Sequence, residues 1–125
     1  MKILQYVEQL RNEIGGVVRE VVDLSSALAA AGHEVTLATT DDRDWPAEWP
    51  RSGRGTPTPV LWNIGSPQWP MRMFSGRQVR EIRARMGGYD VLHLHGVWEL
   101  SNAQMAVTAD SAGVPHVVSL CGMLD

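Results

Sequence analysis

Residues 2–39 read KILQYVEQLRNEIGGVVREVVDLSSALAAAGHEVTLAT, and this stretch decides the fold. Lys2 to Val7 is a short apolar run with β-branched and aromatic members, the composition of a strand buried on both faces. Residues 8–14 turn polar. Gly15-Gly16 then opens a helical pattern in which Val18, Val21, Val22, Leu24, Ser25, Leu28 and Ala29 follow one spacing, with Gly32 as its C-cap. Glu34 to Thr39 is a second strand. Strand, glycine turn, helix, glycine stop and strand within about 40 residues make a right-handed βαβ unit.

The rest of the chain extends that unit. Phe74 to Met86 has Val79, Ile82 and Met86 on one helical stripe and stops at Gly87-Gly88. Tyr89 to Leu94 reads as a strand, residues 97–112 as a helix, and His116 to Leu120 as a strand after the Gly113-Val114-Pro115 turn. Residues 41–73 differ in kind, holding six of the seven prolines and four of the five tryptophans. Only Pro59 to Ile64 reads as a strand there, and the remainder as a long loop of the sort that is commonly functional. The predicted order is β-α-β-loop-β-α-β-α-β. Its natural solution is an α/β, Rossmann-like, doubly wound open parallel sheet of about five strands, order 3-2-1-4-5, in a single domain over residues 1–125.

Composition narrows the function. Apolar residues make up 44% and charged residues 20% of the 125, as expected of a globular chain. A net charge of −3 excludes a generally basic nucleic-acid binder. Cys121 is the single cysteine, so neither an internal disulfide nor a cysteine-only zinc site can form, and a reducing cytoplasm is the expected location. No apolar run reaches the roughly 18–20 residues that span a bilayer. Met1 reads as a true start, because the apolar opening breaks off at Glu8 with no cleavage site after it.

In such sheets ligands bind at the carboxyl ends of the strands, near the point where the strand order reverses. That rule selects residues 8–19, residues 93–102, and Cys121 to Asp125. Gly15-Gly16 at a helix start either presents bare backbone N–H groups to an anion or a sugar hydroxyl, or simply makes a tight turn. His93 and His95 share one face of their strand, with His95 and Gly96 nearer the mouth. An imidazole there suits a contact to a sugar hydroxyl or phosphate, or proton transfer. A metal would need a further ligand that no spacing demands. His33 and His116 read as structural. Arg72, Arg77, Arg80, Arg83 and Arg85 face one acid, Glu81, with Met71, Met73 and Phe74 adjacent. They form a solvated helix face or a contact to an anionic membrane surface. The clustered tryptophans suit packing over the sheet edge, stacking on a sugar, or a lipid interface.

Taken together, the opening through GHEVTLATT, the later YDVLHLHGVW, and GVPHVVSLCGMLD resemble the start of family 4 retaining glycosyltransferases of GT-B fold. The resemblance covers nearly the whole chain except the Pro/Trp middle. It implies transfer of a sugar from a nucleotide-sugar donor to a saccharide or glycolipid acceptor, with retention and no essential metal or other cofactor. It implies that this is the acceptor-side, N-terminal half of the enzyme. Carried over, Gly15 and Gly16 approach the donor phosphate or sugar, and His95 contacts the donor sugar near the reaction centre. Trp98, Glu99 and Asn102 line the acceptor side. Gly122 and Met123 sit at the neighbouring strand mouth, and Arg19, one helical turn on from the glycines, is a further candidate.

The chain departs from the family pattern by stopping at Asp125, without the second domain that holds the nucleotide. The expectation is therefore an N-terminal piece, inactive alone, since stabilising the leaving diphosphate supplies much of such a rate. Its fifth strand would be an unprotected edge, open to dimerisation. A cytoplasmic protein, peripheral at the inner membrane face, fits this reading. The alternatives are a stand-alone flavodoxin-like binding module without catalysis, or a structural partner that completes its sheet with another chain. A receiver domain lacks its acids, and a dinucleotide oxidoreductase lacks G-x-G-x-x-G.

Overall fold

The computed structural model describes residues 1–11, 16–96 and 99–119. Its elements are β1 (Lys2–Tyr6), α1 (Gly16–Ala30), β2 (Glu34–Thr39), β3 (Val60–Asn63), α2 (Gly76–Met86), β4 (Val91–His95), α3 (Leu100–Ser111) and β5 (His116–Ser119). All neighbouring strands are parallel and lie in the order β3-β2-β1-β4-β5, as the sequence predicts. Leu4 of the central strand faces Thr36 on one side and Leu92 on the other.

Strand alternation separates two cores. Leu4, Tyr6, Leu92 and Leu94 face Ile82 and Met86 of α2 and Met105 and Ala109 of α3. Val7, Leu37 and Leu61 face Val18 and Val21 of α1. The stripe predicted on α2 is the one that buries, and its start is fixed by a capping box in which Ser75 and Gln78 exchange hydrogen bonds. That cap places the helix two residues later than periodicity suggests.

The Pro/Trp segment is a loop without helix or strand between β2 and β3, packed against the core. Between β2 and β3 it occupies the place of a crossover helix on the α1 face. Trp49, only 3% exposed, packs with Val18, Leu37 and Leu61. The amide of Leu61 donates to the Pro50 carbonyl at 2.8 Å, and that of Val35 to the Gly55 carbonyl at 3.0 Å. Gly55 has φ +77°, and a Cβ there would lie 2.3 Å from the Val35 carbonyl oxygen, so only glycine fits. One tryptophan thus replaces the apolar stripe of a helix, a substitution that periodicity does not reveal.

β3 and β5 are the sheet edges, and Val117 and Val118 of β5 are exposed. Among the described residues, no helix is long and apolar enough to cross a membrane.

Candidate functional site

The strand order reverses between β1 and β4, and their carboxyl ends leave a gap there. A cavity of about 200 Å³ fills it, walled by Glu8 and Gln9 after β1, Val17 of α1, and His95, Gly96 and Glu99 between β4 and α3. Gly96 has φ +96°, which turns the chain away from the sheet at this point.

His95 is the most constrained side chain of the wall, at 5% exposure. Its Nε2 lies 2.6 Å from the Gln5 amide oxygen, which can only accept, so Nε2 carries the hydrogen. Nδ1 is therefore a bare lone pair, buried and without a partner. Burial, assisted by the His93 ring with its centroid 4.1 Å away, pushes the His95 pKa down to about 4. The ring is neutral near pH 7 and presents an acceptor, fit to receive a hydrogen bond from a hydroxyl. His93, half-buried behind it, is bound to the Ser119 hydroxyl at 2.6 Å, and burial lowers its pKa as well.

Around this ring the polar groups are arranged with little slack. Asn102 Nδ2 donates to the carbonyls of His95 (3.1 Å) and Gly96 (2.7 Å), pinning the strand exit to α3. The Tyr6 hydroxyl donates to Ser101 at 2.8 Å, and burial raises its pKa. Glu99 precedes α3 as its N-cap residue without capping it, and its Oε2 is buried and unpartnered. Glu8, with a side chain 7% exposed, accepts from Arg72 Nε at 2.7 Å. Burial raises the Glu8 pKa, Arg72 opposes that rise, and Glu99 adds to it.

Of the residues singled out in the sequence, the fold gathers His95, Gly96 and Glu99 at the cavity. Gly16 opens α1, with open space where a Cβ would stand. Asn102 lies behind the wall with its amide committed to backbone. Arg19 is exposed on α1 and does not line the cavity. Gly15, Trp98, Cys121, Gly122 and Met123 lie outside the described residues. Sequence reasoning missed Gln5 and Glu8. The signal for Glu8 was present, because a polar residue directly after the central strand falls at the strand mouth. Gln5 gave none, being a polar residue inside an apolar strand.

The arginine stretch divides. Arg72 binds Glu8, and Arg85 of α2 lies 3.7 Å above the Trp62 ring. Arg77, Arg80 and Arg83 stand exposed, as does Trp69 at 87%. At the opposite, amino end of the strands a more open hollow of about 560 Å³ lies beside Lys2, Arg51, Arg54, Arg85 and Tyr89. Its arginines are engaged: Arg54 with Glu34 at 2.9 Å, Arg51 with Asp42 at 3.0 Å, and Arg85 with Trp62.

A Rossmann-like domain with a cavity at its switch point is the class of protein that this geometry defines. Residues 15–125 match the glycosyl transferase 4-like domain family, and the chain belongs to it. Comparison with curated proteins gives no match. Among solved structures, the chain is similar to the C-terminal domain of PF1911 hydrogenase from Pyrococcus furiosus. One structure of that domain is 11% identical with TM-score 0.53, covering 95% of this chain and 92% of that one. Another is 11% identical with TM-score 0.54, covering 94% and 91%. That likeness concerns the fold alone.

Proposed function

We propose that this chain is the acceptor-side domain of a retaining glycosyltransferase of GT-B architecture, which moves a sugar from a nucleotide-sugar donor to a saccharide or glycolipid acceptor. The observation that carries the reading is the buried, unpartnered Nδ1 of His95 at the switch point of a glycosyl transferase 4-like domain. An orphaned acceptor in a native wall calls for a ligand that donates to it, and a sugar hydroxyl does so. In this reading His95 meets the reacting sugar, and Gly96 and Glu99 line its approach. Gly15, Gly16 and Arg19 flank the donor phosphate, while Trp98, Asn102, Gly122 and Met123 complete or support the walls.

The test is a titration of the isotopically labelled chain with methyl glycosides, followed by amide NMR. Shifts should centre on Glu8, Gly96 and Glu99 and vanish in His95→Ala. A chain that binds no glycoside at this cavity, or binds equally well without the imidazole, removes the reading and favours a non-catalytic flavodoxin-like module. A membrane contact fits the exposed Arg77, Arg80 and Arg83 of α2 and the exposed Trp69 and Met71 of the turn leading into it. Co-sedimentation with anionic vesicles, lost when the three arginines become glutamine, tests that contact.

A further inference from the structure

One charged contact at the cavity comes from a distant part of the chain. Arg72 lies in the turn between Gln68 and Met73, which is closed by the Gln68 amide donating to the Met73 carbonyl at 2.8 Å. It is the one described non-glycine residue with positive φ, 53°, a conformation that an L-residue adopts only when its surroundings impose it. From there it reaches Glu8, 64 positions away in sequence, with its Nε 2.7 Å from Oε1.

The groups facing Glu8 come from several elements. Arg72 comes from the turn, His95 from β4, Glu99 from the start of α3, and apolar Val17 from α1. Among the described residues that line the cavity, the unpartnered polar atoms, His95 Nδ1 and Glu99 Oε2, are acceptors, while the orphaned donor Gln5 Nε2 lies fully buried behind His95. Arg72 is engaged with the carboxylate, so it offers an anion little. Such a wall fits a ligand bearing several hydrogen-bond donors and disfavours phosphate.

We infer that Arg72 is a positioning residue of the cavity, holding the Glu8 carboxyl group oriented beside His95 and Glu99 so that the site selects an uncharged polyhydroxyl group over an anionic one. This rests on the sugar-binding reading above and adds the turn at residues 68–73 to the site. Burial, the larger influence, shifts the Glu8 titration upward, and Arg72 is the cation that opposes that shift.

The experiment uses the whole chain with ¹³C-labelled glutamate side chains, Arg72→Gly and Arg72→Lys. Glycine accepts the positive φ, so Arg72→Gly removes the guanidinium while sparing the turn. The Glu8 carboxyl should titrate at higher pH in Arg72→Gly and return towards the original midpoint in Arg72→Lys. Methyl glycoside affinity near pH 7 should fall about ten- to a hundredfold in Arg72→Gly, the scale of losing a hydrogen bond to a charged group. Inorganic phosphate should not compete with the glycoside in the unaltered chain. An unmoved Glu8 midpoint overturns the inference, as does glycoside affinity that stays within twofold while the midpoint moves, or competition by phosphate. In each of those outcomes glycoside binding survives, and so does the sugar-binding reading. Absence of glycoside binding in the unaltered chain takes both down.

Discussion

The two ends of the sheet both carry a hollow, and what surrounds each hollow distinguishes them. The amino end has the larger one, about 560 Å³, but it is open and its arginines are matched by Glu34, Asp42 and the Trp62 ring. The carboxyl end has a hollow of about 200 Å³ at the switch point, with the buried acceptors His95 Nδ1, Glu99 Oε2 and Asn102 Oδ1 and the buried donor Gln5 Nε2 unmatched nearby, and a buried carboxylate held by Arg72. Charges that are satisfied within the fold need no ligand. Buried polar atoms without partners cost about 1–3 kcal/mol each, and a ligand can relieve that cost.

The largest effect expected from disturbing this contrast is at the amino end and concerns folding. Gly55→Ala forces a Cβ into the Val35 carbonyl at a positive φ, and should destabilise the chain by about 3 kcal/mol or more. Gly53→Ala, with positive φ but open space, should cost about 1 kcal/mol. Urea denaturation of the two variants checks the difference, and equal costs would show that the crossover is not clamped to β2.

Next in size is acid sensitivity at the carboxyl end. The folded pKa of His95 lies near 4, below its ordinary 6.5, so its contribution is full above pH 6.5 and is lost as pH falls towards 4. That loss should reach up to about 3 kcal/mol. Glu8 has the opposite sign: its raised pKa makes stability decline as pH rises through the carboxylate range. Urea midpoints measured between pH 4 and 7 should therefore climb in the unaltered chain and flatten in His95→Phe. A climb that persists without the imidazole assigns the acid sensitivity elsewhere.

Asn102→Ala leaves the carbonyls of His95 and Gly96 without their donor and should cost about 2 kcal/mol, weakening glycoside binding as the strand exit loosens. Gly16→Asp should leave the melting temperature within about 2 °C, since the position is open and an acid suits a helix start. It should nevertheless abolish glycoside binding, and unchanged binding would remove the α1 start from the site. The smallest effect is Arg54→Ala, an exposed pair worth about 0–1 kcal/mol, with no change in glycoside affinity.

The fold was largely legible because its signals are local. Gly32 and Gly87-Gly88 end helices, alternation and apolar runs mark strands, and parallel strands require crossovers on both faces. β2 follows its predicted bounds, β1, β3 and β4 differ at their ends by one or two residues, and β5 starts at the predicted His116. What escaped was the Pro/Trp crossover, where Trp49 buries without any periodic pattern to announce it, and the Ser75 cap, which delays α2. At the site, His95, Gly96 and Glu99 were legible from their position after a strand. Gln5 and Arg72 were not, because their roles depend on partners 90 and 64 residues away.

By itself, then, the sequence determined the α/β class and the strand order 3-2-1-4-5. Periodicity, glycine stops and chain handedness are properties of neighbouring residues. Only the tertiary structure decided the protonation pattern of His95, the burial of Glu8 and its capture by Arg72. Each of those depends on which distant groups share a water-free space, and a chain specifies that only once it has closed around its core.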